Sequence, residues 1–201
     1  MRRIAALLLA ATIMAPAAEV AAVEVTKQDL PLLPEFCRHV QVISKNTELS
    51  YSPEAARWVA YMGNGFWAMH HYCWGLVRLM RADKAGMSAT ERKYWRETSV
   101  GEFDYVLENT GQDFVMRADV LAKRGDVLRQ LARYREAAEA FREAIALRSN
   151  YEAAYYGLAD TLWAQGDAAE ALAVIDGAMA QMPDARFLPK LRQRIVASKK
   201  R

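Results

Sequence analysis

Small and bulky apolar residues alternate with polar ones at a helical period from Ala118 to Pro183, and the pattern occurs twice, 34 residues apart. In the second copy Tyr155, Leu158, Ala159 and Leu162 share one helical face, Gly166 and Asp167 form a turn, and Ala171, Ile175 and Ala178 make a second face that Pro183 closes. In the first copy the matching positions hold Leu121, Gly125 and Leu128, then Tyr134 at the turn, then Ala137, Phe141 and Ala144. That copy is the more eroded: Arg124 stands where a large apolar residue is expected, and Ser149 where the closing proline would be. Downstream, Leu188, Leu191 and Ile195 make a narrow stripe backed by Arg192 and Arg194, as a solvating cap helix requires.

Upstream, the periodicity predicts four helices that do not follow the 34-residue pattern and form either degenerate repeats or a separate bundle. Residues 23–34 hold two prolines and no helical period, so they read as an extended lead-in. A first helix from Pro34 presents Phe36, Val40 and Ile43. Ser52 and Pro53 are N-cap and first position of a second, carrying Trp58, Val59 and Met62 up to the break at Gly63-Asn64-Gly65. Phe66, Met69, Cys73, Leu76 and Met80 form the stripe of a third that Gly86 ends. Ser88 with Glu91 is a capping box opening a fourth through Trp95, Val100, Phe103 and Leu107.

The doubled pattern resembles the tetratricopeptide repeat family, whose helix-turn-helix unit places small residues where its two helices touch and large ones around them. The resemblance implies an all-α solenoid of helix-turn-helix units, here with an N-terminal helical extension, divided into residues 23–112, repeats over 113–183 and a capping helix with basic tail over 184–201. It also implies a protein or peptide partner in a groove lined by the first helix of each unit. The matching positions are Asp119, Ala122, Lys123, Asp126, Arg129 and Gln130 in the first copy, and Ala153, Tyr156, Gly157, Asp160, Trp163 and Ala164 in the second. The Lys and Asn with which some members clamp a terminal carboxylate are missing, since Ala122 or Tyr156 and Asp126 or Asp160 stand there. A mixed apolar and polar partner fits better. The competing reading of Trp163 is that it packs on the next unit.

Composition agrees with a helical fold: 53% hydrophobic residues in 201, few glycines and prolines, and a formal charge of +3. Residues 1–22 change that picture. Arg2 and Arg3, an apolar run from Ile4 to Met14, then Pro16 and small residues have the layout of a secretory signal peptide, with cleavage after Ala22 or, less favoured, Ala17. The run is too short for a span of about 20 residues. Without it the charge is +2, and the one dense cationic stretch is Lys190, Arg192, Arg194, Lys199, Lys200 and Arg201, read as a solvated helix end, so no nucleic-acid partner is expected.

All three histidines lie within three positions of the two cysteines: His39 beside Cys37, His70 and His71 beside Cys73. Three readings stay open. An exported chain with two Cys favours a Cys37–Cys73 disulfide. A zinc or copper site could use Cys37, His39, His70, His71 and Cys73. Two buried free thiols are the third. No Cys-x-x-Cys-His, phosphate loop, serine elbow or paired-carboxylate motif is present, so neither a cofactor nor an enzyme is expected. The reading is a periplasmic or secreted interaction scaffold, or alternatively an envelope protein handling metal at the Cys/His cluster. N-terminal sequencing of the protein recovered from the envelope should give a start near Val23 without lipid; an intact Met1, or a form resistant to carbonate extraction, overturns the assignment.

Overall fold

The computed structural model describes residues 25–40 and 52–198, and every regular element among them is helical. Eight α-helices follow in order: α1 (Pro53–Met62), α2 (Met69–Ala82), α3 (Ala89–Glu108), α4 (Arg117–Gln130), α5 (Tyr134–Leu147), α6 (Glu152–Ala164), α7 (Ala168–Gln181) and α8 (Leu188–Ser198). Helices α2 and α3, α4 and α5, and α6 and α7 pack as successive hairpins, each against the next, and α8 lies on α6 and α7. The solenoid is all-α.

Most of the predicted caps are built as the sequence implies. The Ser52 hydroxyl accepts from the Ala55 N–H at 3.1 Å and Pro53 takes the first position of α1. At α3 the capping box closes both ways, Ser88 accepting from the Glu91 N–H and Glu91 from the Ser88 N–H. The first predicted helix is a correction over its described part, residues 34–40: there only Glu35–Arg38 turns, as a 3-10 helix, because Pro34 and the preceding 3-10 turn Leu30–Leu32 hold an irregular path, while Ile43 lies outside the described residues. The glycine break is real but tight. Gly63 takes φ 61°, and Gly63–Ala68 runs on as a 3-10 helix, so α2 begins at Met69, with Phe66 before it.

The repeat rests on one aromatic ring. Phe141 of α5, 1% exposed, lies against Gly125 of its own hairpin and Gly157 of the next: a Cβ built at Gly125 would come within 2.9 Å of the ring, and one at Gly157 within 2.3 Å. Gly75 and Phe103 repeat the arrangement between α2 and α3, with a Cβ at Gly75 falling 2.6 Å from the ring. The α2–α3 hairpin therefore packs by the same small-against-large rule as the recognised repeats, although its spacing differs. Among the described residues no hairpin precedes it.

The turns inside the repeats are equivalent too. Ala132 at φ 58° and Gly166 at φ 97° stand 34 residues apart, and each is followed by an N–H bonded back to the first helix, Arg133 to Leu128 O and Asp167 to Leu162 O. Arg124, the apparent blemish of the first copy, hydrogen-bonds Asp104 and so ties α4 to α3. The cap helix buries Leu188, Leu191 and Ile195 completely, and its first N–H groups, Phe187 and Leu188, donate to the Glu152 carboxylate of α6 at 2.6 and 3.1 Å.

Helix glycines here divide by what surrounds them. Gly157→Ala should lower stability by about 1–3 kcal/mol, because the Phe141 ring has nowhere to go. Gly177→Ala in α7, where a Cβ meets nothing within 4 Å, should raise it by about 0.5–1 kcal/mol through helix propensity alone. Urea unfolding of the two variants checks both; equal signs would contradict the packing.

Candidate functional site

The predicted groove residues of α4 and α6 lie on adjoining faces; Lys123, Asp126, Arg129 and Asp160 pair among themselves, and Asp119, Tyr156 and Trp163 are engaged by arginines from outside the predicted set. Asp119 of α4 pairs with Arg148 at the end of α5, whose guanidinium also sits 4.0 Å over the Tyr151 ring. Arg129 reaches across to Asp160 of α6 at 3.0 Å, joining the first helices of the two repeats. Lys123 and Asp126 face each other at 3.8 Å, and Gln130 is exposed. Ala122 and Gly157 are buried in helix contacts, whereas Ala153 and Ala164 are exposed. Tyr156 accepts a hydrogen bond from Arg194 of α8 at 3.2 Å, and the same guanidinium lies 5.4 Å over Trp163. Trp163 is thus half-buried, packed on the core on one side and bordering, with Arg194, Ala197 and Ser198, a hollow of about 360 Å³ on the other.

A larger hollow, about 500 Å³, opens between α2 and α4. Leu76, Leu79, Met80 and the lead-in residues Leu32 and Leu33 form its apolar wall, and Lys123, Asp126 and Gln130 with Asp83 form the polar one. Burial pushes the Asp126 carboxyl above its ordinary value, Asp160 adds to that, and Lys123 and Arg129 oppose it. A carboxylate so placed gains from any further cation brought to it.

The lead-in belongs to this site, which sequence periodicity did not suggest. It runs along α2 in the opposite direction, Asp29 meeting Arg81 near the helix's C-terminal end and Cys37 meeting Cys73 in its middle. Asp29 accepts from both terminal nitrogens of Arg81, at 2.8 and 2.7 Å, and from the N–H and hydroxyl of Thr26 at 2.9 and 2.8 Å. The Arg81 hydrogen bonds, set against the cost of burial and joined by those from Thr26, hold its carboxyl well below the usual carboxylate range. The Thr-x-x-Asp spacing at Thr26 was the one local signal for this turn.

The Cys37–Cys73 bridge occupies both sulfurs, with Cα atoms 5.8 Å apart and both residues fully buried. The five residues of the alternative metal reading are accordingly divided. Neither cysteine offers a thiolate, and no group of three or more His, Cys, Asp and Glu among the described residues could hold an ion. His70 donates its Nδ1–H to the Trp67 carbonyl, and burial above all lowers its proton affinity. His71 donates from Nδ1 to Glu102 and stacks on Tyr105 with ring centroids 3.6 Å apart. Burial pushes the Glu102 carboxyl up, but the His71 hydrogen bond and the Arg78 charge outweigh it and leave it below its ordinary value. Arg78, 2% exposed, holds the same carboxylate at 2.7 Å. His70, His71, Trp74 and Tyr105 pack on one another at the surface of the first hairpin.

In the basic C-terminal stretch, Arg192 pairs with Asp176 and Arg194 is taken by Tyr156 and Trp163, while residues 199–201 lie outside the described residues, as does the proposed signal peptide. No helix among the described residues is long and apolar enough to cross a membrane.

The family model described as tetratricopeptide repeat matches residues 128–195, from the end of α4 to within α8. No curated protein matches the chain.

The Asp29–Arg81 pair sets a pH dependence with a definite sign. A carboxyl whose proton affinity is lowered by folding contributes stability that is complete above its ordinary value of 3.8 and is lost as the pH falls below it. Thermal melts between pH 6 and pH 2.5 should therefore fall more steeply for the native chain than for Asp29→Asn; parallel curves would mean that the pair adds nothing.

Proposed function

We propose, from the match of residues 128–195 to the tetratricopeptide repeat model, that the protein is an exported, non-catalytic scaffold or assembly factor of the cell envelope that takes a segment of a protein partner on the face of α4 and α6. The observation that carries this reading is the hollow of about 500 Å³ beside that face, with aliphatic side chains on one wall and the under-compensated Asp126 on the other. It suits an extended segment with an aliphatic side chain and a nearby Lys or Arg. The lead-in already lies along α2, so the partner's share of the groove runs from the edge of Leu32 across α4 to Trp163. Export is supported by the charge and apolar layout of residues 1–22 and by a buried disulfide that suits an oxidising compartment.

The test starts from the mature chain as bait in its native envelope, with crosslinked partners identified and then measured in pure form. Trp163→Ala and Tyr156→Ala should weaken that complex by roughly 1 kcal/mol or more while leaving the repeats folded. Leu158→Ala, 5% exposed, should instead cost about 2–5 kcal/mol of stability. If Trp163→Ala unfolds the protein as severely as Leu158→Ala, Trp163 serves packing alone and the groove assignment fails.

A further inference from the structure

Away from the groove hollow, three of the exposed large apolar side chains converge on one depression. Tyr61 at the end of α1, Val115 in the α3–α4 connection and Leu147 at the end of α5 are 57%, 46% and 46% exposed. They border two adjoining hollows of about 370 and 510 Å³ that share Tyr61, Asp113, Phe114 and Val115. The floor is fixed: the Phe114 ring lies so close to Gly65 that a Cβ there would fall 2.6 Å from it. Scattered exposed apolar residues are ordinary, but a contiguous set around a preformed hollow marks a contact surface.

The charges at the rim select the occupant. Arg148 and Asp119 neutralise each other, and the Arg148 guanidinium is further held over Tyr151. Asp113 has no ion-pair partner among the described residues, so the depression presents one uncompensated carboxylate beside its apolar floor. Its only cation is committed, which disfavours a phosphate-bearing ligand.

We infer that this depression is a second docking site, adjoining the Asp119 end of the groove and apart from both the α2–α4 hollow and Trp163, for a protein segment that places an aromatic or branched aliphatic side chain on Phe114 and a Lys or Arg beside Asp113.

Random 12-residue peptides displayed on phage, selected on the immobilised mature chain, test it directly. The enriched peptides should pair a large apolar residue with a basic one. By fluorescence anisotropy their affinity should fall at least tenfold in Leu147→Asp and in Val115→Asp, two exposed positions of which at least one should keep the native circular dichroism. It should stay within twofold in Trp163→Ala, so failure here is distinguishable from failure of the groove reading. Selection repeated on Asp113→Lys should turn the preference from basic to acidic peptides. No enrichment, peptides indifferent to both Asp variants, or an unchanged charge preference on Asp113→Lys would overturn the proposal. So would a concentration-dependent dimer abolished by Leu147→Asp, since the occupant would then be a second copy of the chain.

Discussion

The contact between the Phe141 ring and two glycine faces is the constraint on which the repeat region depends. A helix pair can approach closely only where one partner lacks a side chain, and the large ring then fills the space left between three helices instead of two. Since Phe141 touches Gly125 within its hairpin and Gly157 in the next, one side chain sets both the internal angle of a unit and its spacing to its neighbour. One ion pair follows from that spacing. Arg129 of α4 spans to Asp160 of α6 because these two first helices have been brought within reach. With the Lys123–Asp126 and Asp119–Arg148 pairs, such half-exposed contacts contribute little energy each, but they leave few groove side chains without a partner.

The N-terminal region solves a different problem. A solenoid of hairpins needs covered ends, and a terminal hairpin that exposes apolar side chains would invite association. At the C-terminal end α8 lays three fully buried aliphatics on α6 and α7, and Glu152 ties down its first turn. Within the first hairpin, His71 of α2 and the buried Arg78 both hold Glu102 of α3, beside the stacked His71 and Tyr105 rings. A buried pair of this kind adds little net stability against an apolar replacement but fixes which side chains meet. The lead-in covers the flank of α2, and its disulfide, closing a loop of 36 residues' separation, removes about 3–4 kcal/mol of chain entropy from the unfolded state in the loop-closure account.

Helix content, the caps at Ser52 and Ser88, the two repeats and the terminal cap were legible because each is written in local spacing. The disulfide was legible as one of three readings of the Cys/His cluster, and only three-dimensional packing brings Cys37 to Cys73. The lead-in was not. Its two 3-10 turns have no period to read, and its place on α2 follows from Asp29 and Cys37 meeting residues far along the chain. Asp119, Lys123, Asp126, Arg129, Gln130, Tyr156, Asp160 and Trp163 were named from helical phase, which assigns a face but not the neighbours on it. Arg148 and Arg194, lying outside the first helices, take up Asp119, Tyr156 and Trp163 and so narrow what the groove presents. Likewise Ala132 carries no sequence mark of a left-handed turn, since alanine adopts that conformation only where the surrounding contacts hold it there.

That the turn at Ala132 and the turn at Gly166 have the same form, with α5 and α7 beginning and ending 34 residues apart, makes the middle of this molecule interchangeable with itself. Duplication of one such unit in register would present the same faces to its neighbours and lengthen the solenoid by a hairpin, leaving the first hairpin and the cap helix untouched. The ends are individual and the interior is modular, so the architecture could grow its binding surface without redesigning either boundary.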